Sequence, residues 1–301
     1  MEQVLDLAIV GGGPCGVACG IAAQRAGLAY TIFEKRCLAS SVANFPVNMR
    51  FFSSAELLEL GGIPFVAAEL RPTRAEFLRY IRRVVDHFNL NLKQYHHVSG
   101  VEKAEGPQGA RFLLHIQDPH GRSLKAWARA VVMATGYYES PNLLGVPGED
   151  LPHVSHYYRE AHPYFRQRVV IVGGANSAVE AALELYRNGA FPVLVHRGAQ
   201  LSPKVKPWVR PDIEARLAKN EIPALFNATV TAIEPEAVHL HTPHGPTRLE
   251  CDHVLLLTGY RPNHRPLQAL GVHIDPVTGV PAHNPDTMET NVPGLYLAGV
   301  L

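Results

Sequence analysis

Leu7-Ala8-Ile9-Val10-Gly11-Gly12-Gly13-Pro14-Cys15-Gly16 is an apolar strand-like run entering a G-x-G-x-x-G turn, and the rest of the chain is organised around it. The glycines allow a tight turn and a close backbone approach to a pyrophosphate. The charge of that group would be held by the unpaired N–H groups and positive dipole end of a helix starting near Pro14. Eighteen residues past Gly16, the run Tyr30-Thr31-Ile32-Phe33 ends in Glu34, a carboxylate placed to accept from the ribose hydroxyls of an adenine dinucleotide. A glycine motif alone is weak, but strand, helix, second strand and terminal acid together predict a dinucleotide site.

A second turn, Gly173-Gly174-Ala175-Asn176-Ser177-Ala178, follows Val169-Val170-Ile171-Val172 and opens another helix through Val179 and Glu180. Ala178 still permits close helix-to-strand packing, whereas Ala175 adds a methyl where a phosphate comes nearest. The next strand, Pro192-Val193-Leu194-Val195, ends in His196-Arg197 instead of an acid, with Lys204 and Lys206 close behind. Glutamate at that point suits a free 2′-hydroxyl; arginine suits a 2′-phosphate through charge-assisted hydrogen bonds. The first site therefore reads as the FAD kind and the second as the NADPH kind.

The two turns lie 162 positions apart in a chain of 301 residues, which predicts two α/β Rossmann-like dinucleotide-binding domains. With 28 basic and 27 acidic residues the net charge is +1, and no basic stripe marks a nucleic-acid partner. No apolar run reaches membrane-spanning length, and the N-terminus passes into a strand without a basic segment and cleavage site, so a cytoplasmic protein is expected. Cys15, Cys19, Cys37 and Cys251 include no C-x-x-C pair. The sixteen histidines lack Cys or carboxylate companions at ligand spacing, and no metal site is expected.

Between the turns, Thr73-Arg74-Ala75-Glu76 is a capping box opening a helix whose apolar face carries Phe77, Tyr80, Ile81, Val84, Val85 and Phe88. Residues 55–60 read as a short helix, and residues 90–95 read as a strand ending at His96-His97-Val98, where an adenine would rest. The runs 112–116 and 125–129 straddle Asp118-Pro119-His120-Gly121 as a hairpin, and Val131-Val132-Met133 returns to the sheet before Ala134-Thr135-Gly136. Thr258-Gly259 is the matching end of the second unit. The NADPH-binding domain is thus expected at 142–260, inserted into an FAD-binding domain formed by 1–141 and 261–301, with crossovers near 140–147 and 260–266.

These elements resemble the thioredoxin-reductase kind of flavoprotein over the full chain. Several stretches resemble the bacillithiol-disulfide reductase family more specifically: Glu34-Lys35-Arg36-Cys37-Leu38, Asn48-Met49-Arg50-Phe51-Phe52-Ser53, residues 56–65, Trp208-Val209-Arg210-Pro211-Asp212-Ile213-Glu214 and residues 288–296. The resemblance implies NADPH-dependent, FAD-mediated reduction of a small thiol's symmetric disulfide, in a homo-oligomer (dimer or tetramer). The FAD contacts expected are Gly11, Gly13, Pro14, Cys15, Gly16, Glu34, Lys35, Asn48, Val98, Ala134, Thr135, Gly136 and Gly299. Those for NADPH are Gly174, Asn176, Ser177, Glu180, His196, Arg197, Lys204, Thr258 and Gly259. Arg50 stands where that family has a small hydroxyl residue, which would put a cation near the flavin. The chain ends at Leu301, where the family continues with a glycine turn and a helix, so weaker FAD binding is expected.

Reducing a disulfide needs a thiolate, and Cys15 is the first candidate because a helix N-terminus lowers thiol pKa. Cys37, at the same sheet edge, is the second; Cys19 and Cys251 read as core residues. Two other readings stay open: an NADP reductase of a protein carrier such as ferredoxin or flavodoxin, needing no cysteine, and a nucleotide-binding redox sensor without turnover.

Overall fold

In a computed structural model describing residues 4–301, the chain divides into two compact units. The first comprises the chain up to Asn44, Met49–Ser140 and Pro262–Leu301; the second comprises Phe45–Asn48 and Pro141–Arg261. In chain order the elements are β1 (Leu5–Val10), α1 (Pro14–Arg25), β2 (Tyr30–Phe33), α2 (Ser40–Ala43), α3 (Arg74–Phe88), β3 (Leu92–Lys93), β4 (His97–Lys103), β5 (Phe112–Gln117) and β6 (Ser123–Met133). The second unit contributes β7 (Val154–Ser155), β8 (Arg168–Val172), α4 (Asn176–Arg187), β9 (Phe191–His196), α5 (Arg210–Ala218), β10 (Ala224–Phe226), β11 (Thr229–Glu234), β12 (Ala237–Thr242), β13 (Gly245–Glu250) and β14 (His253–Leu256). The chain closes with α6 (Arg265–Ala269) and β15 (Leu295–Leu297).

The first unit's sheet runs β3-β2-β1-β6-β5-β4, with β15 also paired to β6. Strand β6 joins its two halves: residues 123–128 pair antiparallel with β5, and residues 128–133 pair parallel with β1. The residues 125–129 and 131–133 expected as separate strands are therefore one. Residues 90–95 shorten to the two-residue β3, because Tyr95 adopts a left-handed backbone (φ +58°) that ends the extended run. Residues 56–58 form a single 3₁₀ turn.

The second sheet runs β10-β9-β8-β14-β7, all parallel. Alternate residues of β8 face opposite cores: Val169 and Ile171 pack with the apolar residues of α4, Val170 and Val172 with those of β11 and β12. Burial on both faces explains the uninterrupted apolar run 169–172. The capping box of α3 is closed, Glu76 N–H donating to Thr73 Oγ1 at 3.2 Å and Thr73 N–H to Glu76 Oε2 at 2.7 Å. Of the loop aromatics, Phe51 packs on Phe77 with ring centres 5.0 Å apart, while Phe52 is exposed.

Candidate functional site

In the first unit, β1 delivers the chain into Gly11, whose φ of +114° only glycine adopts freely and whose missing side chain lets the Ala134 carbonyl close in. The Ala134 N–H in turn donates to Val10 O at 2.8 Å, so the ends of β1 and β6 meet at this turn. No side chain caps the start of α1, which leaves its first N–H groups for a ligand. The space a Cβ on Gly13 would enter is open to 4 Å. These features fit a dinucleotide pyrophosphate.

Glu34 is 5% exposed and fixes the turn from beneath. Its Oε2 accepts from Gly12 N–H at 2.7 Å; its Oε1 accepts from Arg36 N–H at 2.9 Å and Ser40 Oγ at 3.2 Å. A carboxylate carries about four lone-pair directions, so room remains for a ribose hydroxyl. Ser40 had no sequence signal; only the fold brings α2 to Glu34.

Cys15 lies in the first turn of α1 as an exposed residue, yet its Sγ lies beneath Gly299, 2.9 Å from where a Cβ there would sit. The structure thus brings Cys15 and Gly299 together. Burial of the sulfur pushes the thiol above its ordinary range, opposite to the lowering expected from the helix dipole. Cys19, one turn on, is raised by burial and by Cys15, and Cys251 is pushed up to about 11 mainly by burial. All four cysteines are free thiols.

The other residues expected to meet FAD have these surroundings. Lys35 forms an ion pair with Glu139. Val98 packs against the first unit's core, and Gly136 turns the chain after Thr135 with φ +68°. Asn48 belongs to the second unit, where its Nδ2 donates to Glu184 Oε1 at 2.9 Å, and Val47 N–H donates to Arg159 O at 2.8 Å. Arg50 meets Glu69 through two hydrogen bonds of 2.9 and 3.0 Å, so a carboxylate offsets the cation expected near the flavin.

The second turn repeats the device. Gly173 approaches the Leu257 carbonyl as Gly11 approaches Ala134, and α4 begins after Ala175 without a side-chain cap. His196 takes the place of Glu34: a Cβ on Gly174 would lie 2.6 Å from its ring, as one on Gly12 would lie 2.8 Å from Glu34 Cβ. Burial, then Arg197, holds the His196 imidazole below its ordinary pKa. Arg197 and Lys204 are exposed, and among the described residues neither closes an ion pair. These features fit a nucleotide with an anionic ribose substituent.

Asn176 and Glu180 hold the loop that carries Lys204. Asn176 Nδ2 donates to Lys204 O at 2.9 Å, Asn176 Oδ1 accepts from Lys206 N–H at 2.8 Å, and Glu180 pairs with Lys206 at 2.6 Å. Ser177 follows Asn176 in the first turn of α4. Thr258 Oγ1 donates to Asn142 O at 2.7 Å, and Asn142 N–H donates to Gly259 O at 2.9 Å. Asn142, which clasps the two crossovers, was not singled out by its sequence context.

Residues 8–299 match the family described as pyridine nucleotide-disulphide oxidoreductase. The chain is 40% identical to bacilliredoxin reductase Bdr of Bacillus subtilis, over 97% of this chain and 88% of that protein. The fold is similar to the solved structures of bacillithiol disulfide reductase Bdr from Bacillus cereus (TM-score 0.94, 37% identity) and from Staphylococcus aureus (TM-score 0.93, 37% identity). Each alignment covers 99% of this chain and 90% of the other.

Proposed function

Since the chain belongs to the pyridine nucleotide-disulphide oxidoreductase family, we propose that it is an NADPH-dependent, FAD-containing reductase of a low-molecular-weight thiol disulfide of the bacillithiol type. The observation that carries this is the doubled turn: an acid-terminated one in the first unit and a histidine–arginine-terminated one in the second. When bound, FAD supplies the relay that passes the two electrons of the NADPH hydride to the disulfide. The first unit holds the pyrophosphate at Gly11–Gly16 and the ribose at Glu34; the second holds the 2′-phosphate with Arg197 and Lys204.

In this reading Cys15, exposed in the first turn of α1, is the thiol that meets the substrate. Its thiolate attacks one sulfur of RSSR, expelling RS⁻ and leaving Cys15–S–S–R. Two electrons and two protons then return the Cys15 thiol and release the second RSH, and the expelled RS⁻ takes up a third proton. Over the cycle, one disulfide, one NADPH and one proton give two thiols and NADP⁺. Because burial raises its pKa, Cys15 needs a base or bound substrate to expose its thiolate. The protein acts in the cytoplasm as a homo-oligomer.

The test is NADPH oxidation by FAD-loaded protein with bacillithiol disulfide, a bacilliredoxin mixed disulfide, other small disulfides and ferredoxin as acceptors. Turnover with the bacillithiol-type disulfide that is lost in Cys15→Ala is the expected result. Turnover with ferredoxin alone, undiminished in Cys15→Ala, would replace this reading with carrier reduction. Tight nucleotide binding with no acceptor turned over would make the protein a sensor.

A further inference from the structure

A cavity of about 300 Å³ in the first unit is lined by Lys103, Arg111, Phe112, Val292 and Pro293, together with Gly271 and Asn291. It is remote from the dinucleotide turn. Phe112 pairs with Ala128 and Ala128 with Leu5, at the start of β1, whereas the turn follows Val10. Five residues of extended strand, roughly 17 Å, separate the two ends.

Two exposed cations line it. Lys103 ends β4, and Arg111 precedes β5, held to the neighbouring strand by an Ala104 N–H bond to Arg111 O at 3.0 Å. Lys103 Nζ lies 3.6 Å from where a Cβ on Gly271 would sit. Among the described residues, neither side chain closes an ion pair or hydrogen bond. Of the nearby carboxylates, Glu102 meets His115 at 3.0 Å and Asp6 meets Arg129, while Glu289 accepts from Gly294 N–H at 2.7 Å and meets the Tyr296 hydroxyl, on which Arg111 also acts.

The cavity is also preformed. Asn291 Nδ2 donates to Gly271 O at 2.9 Å and its Oδ1 accepts from His273 N–H at 3.0 Å, pinning together the two loops that contribute Gly271 and Asn291 to the lining. The Phe112 ring, 1% exposed, makes a rigid apolar wall. Two exposed cations beside an apolar wall favour a ligand that carries a negative head and an apolar body.

We propose that this cavity binds a small organic anion, a phosphate or carboxylate head set between Lys103 and Arg111 with a compact apolar body against Phe112, Val292 and Pro293. The two cations meet the head by charge-assisted hydrogen bonds, Arg111 bidentately. The site is independent of the redox reading above.

Calorimetric titration of FAD-loaded protein under saturating NADP⁺, which fills the nucleotide phosphate sites, tests it. The probes are phenyl phosphate, benzoate and inorganic phosphate. A one-to-one complex is expected with phenyl phosphate or benzoate, the better of the two fixing the head group. Phenyl phosphate should bind about tenfold more tightly than inorganic phosphate, reflecting the buried ring, and affinity should fall as salt rises. Lys103→Gln combined with Arg111→Gln should abolish binding while melting temperature without probe and flavin content stay unchanged. Failure of both organic probes to bind, equal affinity for inorganic and phenyl phosphate, or binding undiminished in the double variant would overturn the proposal.

Discussion

Glu34 and His196 stand at the same point of two copies of one device, each beneath the second glycine of its turn, and under the proposed function the difference in their charge selects the nucleotide. Glu34 is fixed by three hydrogen bonds and presents an anion that accepts from free hydroxyls but repels a phosphate. His196, held below its ordinary pKa, leaves the positive charge to Arg197. Arg197→Ala should therefore weaken NADPH binding by roughly 1–3 kcal/mol through the lost charged hydrogen bonds. NADH binding should barely change. Equal losses for both coenzymes in fluorescence titrations would remove Arg197 from the 2′-phosphate. Cys15 offers a second residue-level check. Because burial raises its pKa above the ordinary 9.0, the rate of Cys15 alkylation by iodoacetamide in the free enzyme should still be climbing at that pH. A plateau in the neutral range would mean that the helix dipole outweighs burial.

At the scale of elements, α3 owes its position to a start signal complete within four residues. Thr73 and Glu76 satisfy two of the N–H groups that every helix start leaves open, and Glu76 also accepts from Ala68 N–H at 2.9 Å. Thr73→Ala should cost about 1 kcal/mol in urea unfolding. Hydrogen bonds from Ala68 and Thr73 lower the Glu76 pKa from 4.5 to about 2. A depressed carboxylate contributes stability that is present above its unfolded pKa and lost as pH falls through the folded one. The stability difference between wild type and Glu76→Gln should thus be full above pH 4.5 and shrink towards pH 2; a pH-independent difference would show that packing, not charge, carries it. Such local devices are what sequence shows best. The capping box, the glycine turns and the apolar run of β8 are each specified by neighbours along the chain. Long-range partnerships left no periodic mark. The continuity of β6 depends on its having β5 for one half and β1 for the other, Ser40 reaches Glu34 only once α2 has folded, and Asn48 finds Glu184 only in space. Asn176 and Glu180 sit where a nucleotide contact was expected because their pattern is that of the turn, while their side chains anchor the loop of Lys204.

For the molecule as a whole, the order of the chain makes stability asymmetric. The second unit is almost one continuous stretch, whereas the first is completed only when residues far apart in sequence are brought together. Within the second unit the crossovers pair with each other, Pro141 bridging antiparallel to Tyr260 and Asn142 bonding to Gly259. Once folded, it holds the two ends of its own stretch side by side, and the first unit need not close that loop. Without it, joining β15 to β6 means closing roughly 120 residues, at an entropic cost of about 4 kcal/mol by the logarithmic law for flexible loops. A core truncation in the second unit, Ile171→Ala, should therefore raise amide hydrogen exchange in both units, including β15. Its counterpart in the first, Ile32→Ala, should raise exchange in the first unit and leave β8 and β14 protected. Both side chains are fully buried, and each deletion should cost about 2–5 kcal/mol locally, so the comparison is matched. Added FAD should reinforce the asymmetry, since a ligand at 100 times its Kd stabilises the unit that holds it by about 2.7 kcal/mol. It should rescue β1 and β15 in Ile32→Ala while leaving exchange in β8 of Ile171→Ala unchanged. Equal loosening of both units by either truncation would mean that they unfold as one cooperative body and that the inserted order of the chain carries no thermodynamic consequence.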